Sequence, residues 1–316
     1  MKYRRITVVG GSGFIGRYVV SRLAQQGAVV TVVSRHATDA LFLTTMGDVG
    51  QVALLDAGLA DETALAASVA GADAVVSAVG ILYEHGKQRF DLVHHQGPAR
   101  VARLAAAAGA REFVHISAIG ADPASPAAYG RSKAAGEQAV RAAFPAATIL
   151  RPSLVFGPED DFFNRFAAMA RLSPVLPLIG GGATRFQPVY VGDVADAALA
   201  ALERPDAAGK TYELGGPKTY SFRELMTLLL AQIGRKRCLM NLPFGLASLE
   251  AAFLEWLPVP PLTRDQVKLL QRDNVVAAGN PGFAELGLTP TSVELILPTY
   301  LDRFRRRRAL GHQLTA

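Results

Sequence analysis

The chain has 316 residues, 50% of them hydrophobic and 19% charged, which is enough for one large or two modest domains with a substantial core. Its formal charge of +6 suits an anionic ligand or surface, and no aromatic-interleaved basic motif points to nucleic acid. The single cysteine, Cys238, excludes an intramolecular disulfide and a cysteine-built metal cluster, and fits a reducing compartment.

Short β-branched runs alternate with alanine-rich helical stretches through the first half. RITVVG, GAVVTVVSR, GQVALLD, ADAVVSAVG, REFVHIS and ATILRPS read as six strands. Between them FIGRYVVSRLAQQG, DETALAASVAG and GPARVARLAAAAG have helical spacing and end at or near glycine, a helix stop. Near-continuous apolar strands alternating with helices predict an α/β fold with a buried parallel sheet covered on both faces.

The pattern loosens after Arg151. GPEDDFFNRFAAMARLSP reads as a helix between loops, LPLIGGGATRFQPVYVGD as loop-rich, and KTYELGGP as a further strand. Ser221 and Glu224 have the spacing of a capping box and start a helix. PFGLASLEAAFLEWL is amphipathic, with Leu249, Phe253, Trp256 and Leu257 at helical spacing, and PVPP breaks it. The tail LDRFRRRRALGHQLTA is basic, with Arg303 and Arg305 to Arg308 around Phe304. No apolar run reaches the ~18 residues of a spanning helix. The expected division is a dinucleotide-binding unit over residues 1–155 and a smaller α/β unit over residues 156–316. Strand segments near residues 187–215 rejoin the first, so the two interleave.

VVGGSGFIG places Gly10, Gly13 and Gly16 directly after the first strand, with Phe14 and Ile15 opening a helix. The glycines allow a tight turn and close approach of backbone to a pyrophosphate, and the helix N-terminus offers N–H donors and a favourable dipole. This is the pattern of a doubly wound, Rossmann-like dinucleotide site. An NAD site usually presents an acid at the end of the second strand, whereas here Ser34 and Arg35 stand there. A hydroxyl and a guanidinium suit a 2′-phosphate, so NADP(H) is the expected cofactor. Asp56, ending the third strand, is a candidate for the adenine amino group or for capping the next turn. Gly80 should pass beneath the cofactor ribose. His94 and His95 are adjacent in a predicted helix, point different ways and read as ordinary helix residues. No metal site is expected.

AYGRSKAAGE sets Tyr129 and Lys133 four residues apart on one helical face. An ammonium beside a phenol can lower its pKa for proton transfer, or the pair can clamp a cofactor.

With these elements placed, the chain resembles the extended and atypical short-chain dehydrogenase/reductases. More closely, ILRPSLVFGPEDDFFNRFA, LIGGGATRFQPVYVGDVA, TYELGGP and PLTRDQVKLLQRDNVV resemble the NADPH-binding accessory subunits of respiratory complex I, over nearly the whole chain. The resemblance implies a tightly held NADPH with a structural role, no turnover of its own, and a place on the peripheral arm near the membrane and quinone region. It implies other complex I subunits and the membrane surface as partners, and the cofactor-binding set is completed by Ser117 of HISAIGA and Pro152 of RPSLVFGP. The first strand starts about four residues in, so a bacterial member on the cytoplasmic face of the inner membrane is expected. A processed eukaryotic chain would sit on the matrix side.

Active relatives carry a hydroxyl after the fifth strand to polarise the substrate carbonyl. HISAIGA ends that strand at Ser117, and the usual hydroxyl position aligns with Ile119, which cannot donate to an oxyanion. No catalytic residue is therefore expected, and Tyr129 and Lys133 read as a cofactor clamp. The alternative is an NADP-dependent reductase or epimerase with Ser117, Tyr129 and Lys133 as its catalytic set.

Overall fold

A computed structural model describes residues 2–305. The six apolar runs become β1 (Arg5–Val9), β2 (Val29–Ser34), β3 (Val52–Asp56), β4 (Ala74–Ser77), β5 (Glu112–Ile116) and β6 (Thr148–Pro152). The later run TYEL, Thr211–Leu214, adds a seventh strand beside β6. All seven are parallel, in the order Thr211–Leu214, β6, β5, β4, β1, β2, β3. The chain starts in mid-sheet, runs outward through β2 and β3, then returns to the other side of β1. That reversal opens a crevice at the carboxyl ends of β1 and β4, where such sheets bind ligands.

The helices are α1 (Phe14–Gln25), α2 (Glu62–Val69), α3 (Gly97–Ala107), α4 (Ala128–Ala143), α5 (Phe162–Leu172), α6 (Val191–Glu203), α7 (Phe222–Gln232), α8 (Phe244–Leu254), α9 (Arg264–Leu269) and α10 (Val293–Leu301). On one sheet face Val19, Val20 and Leu23 of α1 and Val194, Ala198 and Leu202 of α6 pack against Val8, Val30 and Val32. On the other, Leu65, Val101, Ala105 and Val140 from α2, α3 and α4 meet Val9, Val33, Val75 and Ile149. A strand buried on both faces needs apolar residues at every position, which is why these runs do not alternate.

Beyond β6 a second apolar cluster gathers Phe156, Phe163, Phe186, Phe222, Leu229 and Leu297. The Ser221–Glu224 capping box forms as the spacing predicts. Two elements differ from the sequence reading. The stretch read as loop-rich contains a strand, Val175–Ile179, paired in parallel with Cys238–Leu242. A π-helical turn, Asp91–Gln96, precedes α3 and carries the helix back six residues. α8 buries Ala247 and Ala251 against Ile179 and Val267 of α9 and leaves Leu249 and Phe253 exposed, as are Trp256 and Leu257 in the turn that follows it. Of the basic tail, Arg303 reaches Asn164 Oδ1 at 2.6 Å and Arg305 faces Asp302 at 3.5 Å, while Arg306 to Arg308 lie outside the described residues.

Candidate functional site

The turn after β1 is built from contacts only glycine permits. Gly10 has φ +82°, and a Cβ there would press on Val79 Cγ1 at 2.9 Å and Ala78 O at 3.0 Å. A Cβ on Gly16 would overlap Gly10 O. The backbone closes through Gly10 N donating to Val33 O and Gly13 N donating to Gly10 O, both at 3.0 Å. Gly13 caps α1 without a side-chain bond, and the first turn, with Phe14 and Ile15, holds no acid. Its free N–H groups and the helix dipole fit an anionic pyrophosphate.

At the end of β2, Ser34 Oγ lies 2.9 Å from Ser12 Oγ, a hydroxyl pair the sequence reading did not include. Arg35 follows, exposed. Arg17 donates to Ser12 O at 3.2 Å and Gly13 O at 3.3 Å, bracing the turn from outside. Asp56 accepts from Ala37 N at 3.4 Å, which ties it to the start of the segment after β2 and not to the turn that follows Asp56.

The other side of the crevice is α4. Lys133 is buried, donates to Ile116 O at 3.4 Å, and would lie 3.3 Å from a Cβ on Gly80. Burial pulls its ammonium down to about 8, against an opposite pull from Glu137. Burial pushes the Tyr129 phenol up to about 12. The sequence allowed for a phenol pKa lowered by the neighbouring ammonium, and the structure corrects this: desolvation of the phenolate dominates.

His94 is not an ordinary helix residue. The π turn aims it into the site, fully buried, stacked on Phe90 at 5.1 Å and edge-on to Tyr129 at 5.2 Å. Nε2 accepts from Ile81 N at 3.1 Å, which places the proton on Nδ1, 2.8 Å from Ser132 Oγ. Burial, with Lys133 and His115 nearby, draws its pKa down to about 2, so the ring is neutral. His95 faces away and pairs with Asp91 at 2.8 Å. Among the described residues no group of three or more His, Cys, Asp or Glu could hold a metal. Deeper still, His115 and Ser77 face each other across β5 and β4. Both ring nitrogens and the Ser77 hydroxyl are buried without a hydrogen-bond partner among the described residues.

Ser117 is committed elsewhere. Its Oγ donates to Glu137 Oε1 at 2.5 Å, and Glu137 accepts from Arg151 Nε at 2.8 Å and Nη2 at 2.6 Å. Arg151 also faces Glu213 at 3.6 Å, whose other oxygen accepts from Ala277 N at 2.9 Å. This network ties β5, α4, β6 and the strand Thr211–Leu214 together, and a hydroxyl with its one hydrogen spent on Glu137 has none for a substrate. Ile119 is buried, with its N–H on Pro152 O at 3.0 Å, so Pro152 supports the loop that replaces the expected hydroxyl.

The glycine turn thus stands at one end of the crevice and Lys133, close beside Gly80, at the other. Residues 6–215 match the NAD dependent epimerase/dehydratase family. The UDP-glucuronic acid 4-epimerase from Bacillus cereus, solved with NAD, shares the fold: 19% identity, TM-score 0.73, 95% of this chain and 98% of that one. The ceramide reductase of Caulobacter vibrioides is 32% identical over 75% of this chain and 73% of its own length. Mitochondrial NADH dehydrogenase [ubiquinone] 1 alpha subcomplex subunit 9 of Arabidopsis thaliana is 36% identical over 95% of this chain and 78% of its own. The chain belongs to the NAD dependent epimerase/dehydratase family, in the group of the alpha subcomplex subunit 9 proteins of NADH dehydrogenase.

Proposed function

We propose that this chain is an accessory subunit of the respiratory NADH dehydrogenase complex that holds NADPH as a structural cofactor and performs no turnover of its own. The observation that carries this is the pairing of a committed Ser117 with an isoleucine, Ile119, at the hydroxyl position. Without a donor for the developing oxyanion, carbonyl chemistry loses its main electrostatic support. The glycine turn, Ser34 with Ser12, Arg35, Gly80, Lys133, Tyr129 and Pro152 are assigned to the nucleotide. Bound NADPH then stabilises the fold by mass action, about 2.7 kcal/mol at 100 times Kd.

The two apolar clusters support a division near residue 155 into a nucleotide unit and a smaller docking unit. Among the described residues no helix is long and apolar enough to cross a membrane. The exposed Leu246, Leu249, Phe253 and Trp256 of α8 and the residues just after it support peripheral attachment beside neighbouring subunits. The membrane face would be the cytoplasmic one in a bacterium and the matrix one in a mitochondrion.

The test is purification from native membranes, identification of co-purifying subunits, and analysis of the released nucleotide. Tyr129→Phe should leave assembly and quinone reductase activity nearly unchanged. Loss of respiratory activity in a fully assembled Tyr129→Phe complex would establish chemistry at the pair. The second reading, an NADP-dependent reductase, is favoured by the likeness to a ceramide reductase and by the retained Tyr129 and Lys133. It requires NADPH consumption by the isolated chain.

A further inference from the structure

The helix that carries Tyr129 and Lys133 cannot cap itself. Its N-cap is Ala127, which has no side-chain acceptor, and its first turn contains no acid. Its first two N–H groups are satisfied from 137 and 136 residues away. Asp265 Oδ1 accepts from Ala128 N at 2.7 Å, and Asp265 Oδ2 accepts from Tyr129 N at 2.9 Å. A bidentate carboxylate on a helix N-terminus satisfies two orphan donors and opposes the positive end of the dipole.

Asp265 is itself held on a built support. It is the second residue of α9, whose start is fixed by a capping box between Thr263 and Gln266. Glu255, just after α8, accepts from Arg264 N at 2.6 Å and Arg264 Nε at 2.9 Å. Val267 of α9 packs with Ala247 and Ala251 of α8. A continuous chain of contacts thus runs from α8, whose outer face is apolar and exposed, through Glu255, Arg264 and Asp265, to the backbone N–H of Tyr129.

We propose that Asp265 is a positioning residue that couples the α8–α9 unit to the nucleotide clamp. Displacing α9 releases the first turn of α4, on which the Tyr129 ring hangs, and loosens the grip on the nicotinamide half of the cofactor. The coupling is reciprocal: bound nucleotide orders α8–α9, and anything that fixes α8 tightens the nucleotide. This rests on the reading of Tyr129 and Lys133 as a clamp.

The test uses the full-length protein and follows NADPH release by its fluorescence, with adenosine 2′,5′-bisphosphate as a probe of the glycine-turn half alone. Asp265 borders an open cavity with Ala128 and Thr263, so water can reach the freed N–H groups and Asp265→Ala should fold. Asp265→Ala should release NADPH roughly fivefold to tenfold faster, the scale of a lost N-cap. Asp265→Glu should recover most of that loss, and the Kd for adenosine 2′,5′-bisphosphate should not change. Hydrogen exchange of residues 244–269 should slow on NADPH binding in the unmutated protein and not in Asp265→Ala. Unchanged release from Asp265→Ala, or equal weakening of both ligands, would overturn the coupling. Lys133→Met separates the two layers: if it releases NADPH no faster than the unmutated chain, the clamp reading itself fails. If it releases faster while Asp265→Ala does not, only the coupling fails.

Discussion

Ser117 donates its hydroxyl to Glu137 at 2.5 Å, and Glu137 grips Arg151 with both carboxylate oxygens. The serine that ends β5 is therefore part of the scaffold beneath the crevice. Ser117→Ala should lower stability by about 1 kcal/mol, the net value of one hydrogen bond, and leave nucleotide retention intact. Glu137→Ala should cost more, roughly 3 kcal/mol, because it strands a largely buried guanidinium whose remaining partner, Glu213, lies 3.6 Å away. Chemical denaturation alongside a nucleotide assay checks both. A stable Ser117→Ala protein that no longer retains nucleotide would return the serine to the cofactor site.

The glycines of the turn are not equivalent. A Cβ at Gly16 overlaps the Gly10 carbonyl oxygen, which is backbone and cannot step aside, whereas a Cβ at Gly13 lies 3.2 Å from that atom. Gly16→Ala should therefore distort the turn and abolish nucleotide binding. Gly13→Ala should weaken binding less, and a bulky residue at Gly13 should block it through the cofactor's own space. Isothermal titration of the two alanine variants with NADPH ranks them. Equal affinity would mean that the turn tolerates movement.

Arg35→Glu sets a carboxylate where the 2′-phosphate of NADP would lie. A hydrogen bond to a charged group contributes about 1.5–3 kcal/mol, so the NADPH preference over NADH should fall on the order of 10- to 100-fold. Competition between the two nucleotides for the purified protein measures this. An unmutated chain that holds both equally would remove the assignment.

His94 and His115 are buried neutral, with pKa values drawn down to about 2 and about 3 by burial, reinforced by Lys133. Below the ordinary histidine value near 6.5 the unfolded chain takes up protons that the folded chain refuses. Stability is therefore complete above that value and falls as pH drops toward 3, at up to ~1.4 kcal/mol per pH unit for each ring. His115→Met removes one of the two, along with a ring whose nitrogens have no partner among the described residues. It should be near neutral at pH 7 and should flatten the slope between pH 6 and 4.5 in urea unfolding. An unchanged slope would show that His115 takes up its proton in the folded state.

The sheet was legible because strands buried on both faces read as unbroken apolar runs, and the glycine turn because its spacing is dictated by backbone contacts. What stayed hidden depends on long-range packing. His94 enters the site only because the π turn rotates it inward, and no local signal marks that turn. Asp265 looks like a first-turn helix acid; that it caps α4 depends on contacts 137 residues apart. The strand Val175–Ile179 is an apolar run interrupted by Pro177, a residue that argues against a strand except at an edge, and it pairs with a single neighbour. The spacing of Leu249, Phe253, Trp256 and Leu257 predicts one helical apolar face, but α8 ends at Leu254 and the last two fall in the turn after it. The small residues Ala247 and Ala251 do the burying, which leaves the large ones outward.

That outward face leads to the docking expectation. Phe253 is 72% exposed and Trp256 89%, and Leu246, Leu249 and Leu257 of the same segment are exposed as well. Exposed apolar residues gathered on one segment are what the proposed peripheral attachment would use. On the proposed attachment the basic tail would add an electrostatic part, ~1 kcal/mol per basic residue near an anionic surface and weakened by salt. A chain ending at Tyr300 would be a poor test of the tail. Tyr300 bonds to Asp160 at 2.5 Å, and the next residue, Leu301, is fully buried, so the cut would damage the core. A chain ending at Arg305 keeps those contacts and removes Arg306 to Arg308. On membranes washed at rising salt, this truncated chain should release earlier than the full chain at low salt and converge with it at high salt. Trp256→Glu with Phe253→Glu should release more readily at every salt concentration, because apolar contact is not screened. Retention of the doubly substituted chain equal to that of the unmutated one throughout the series would show that α8 takes no part in attachment.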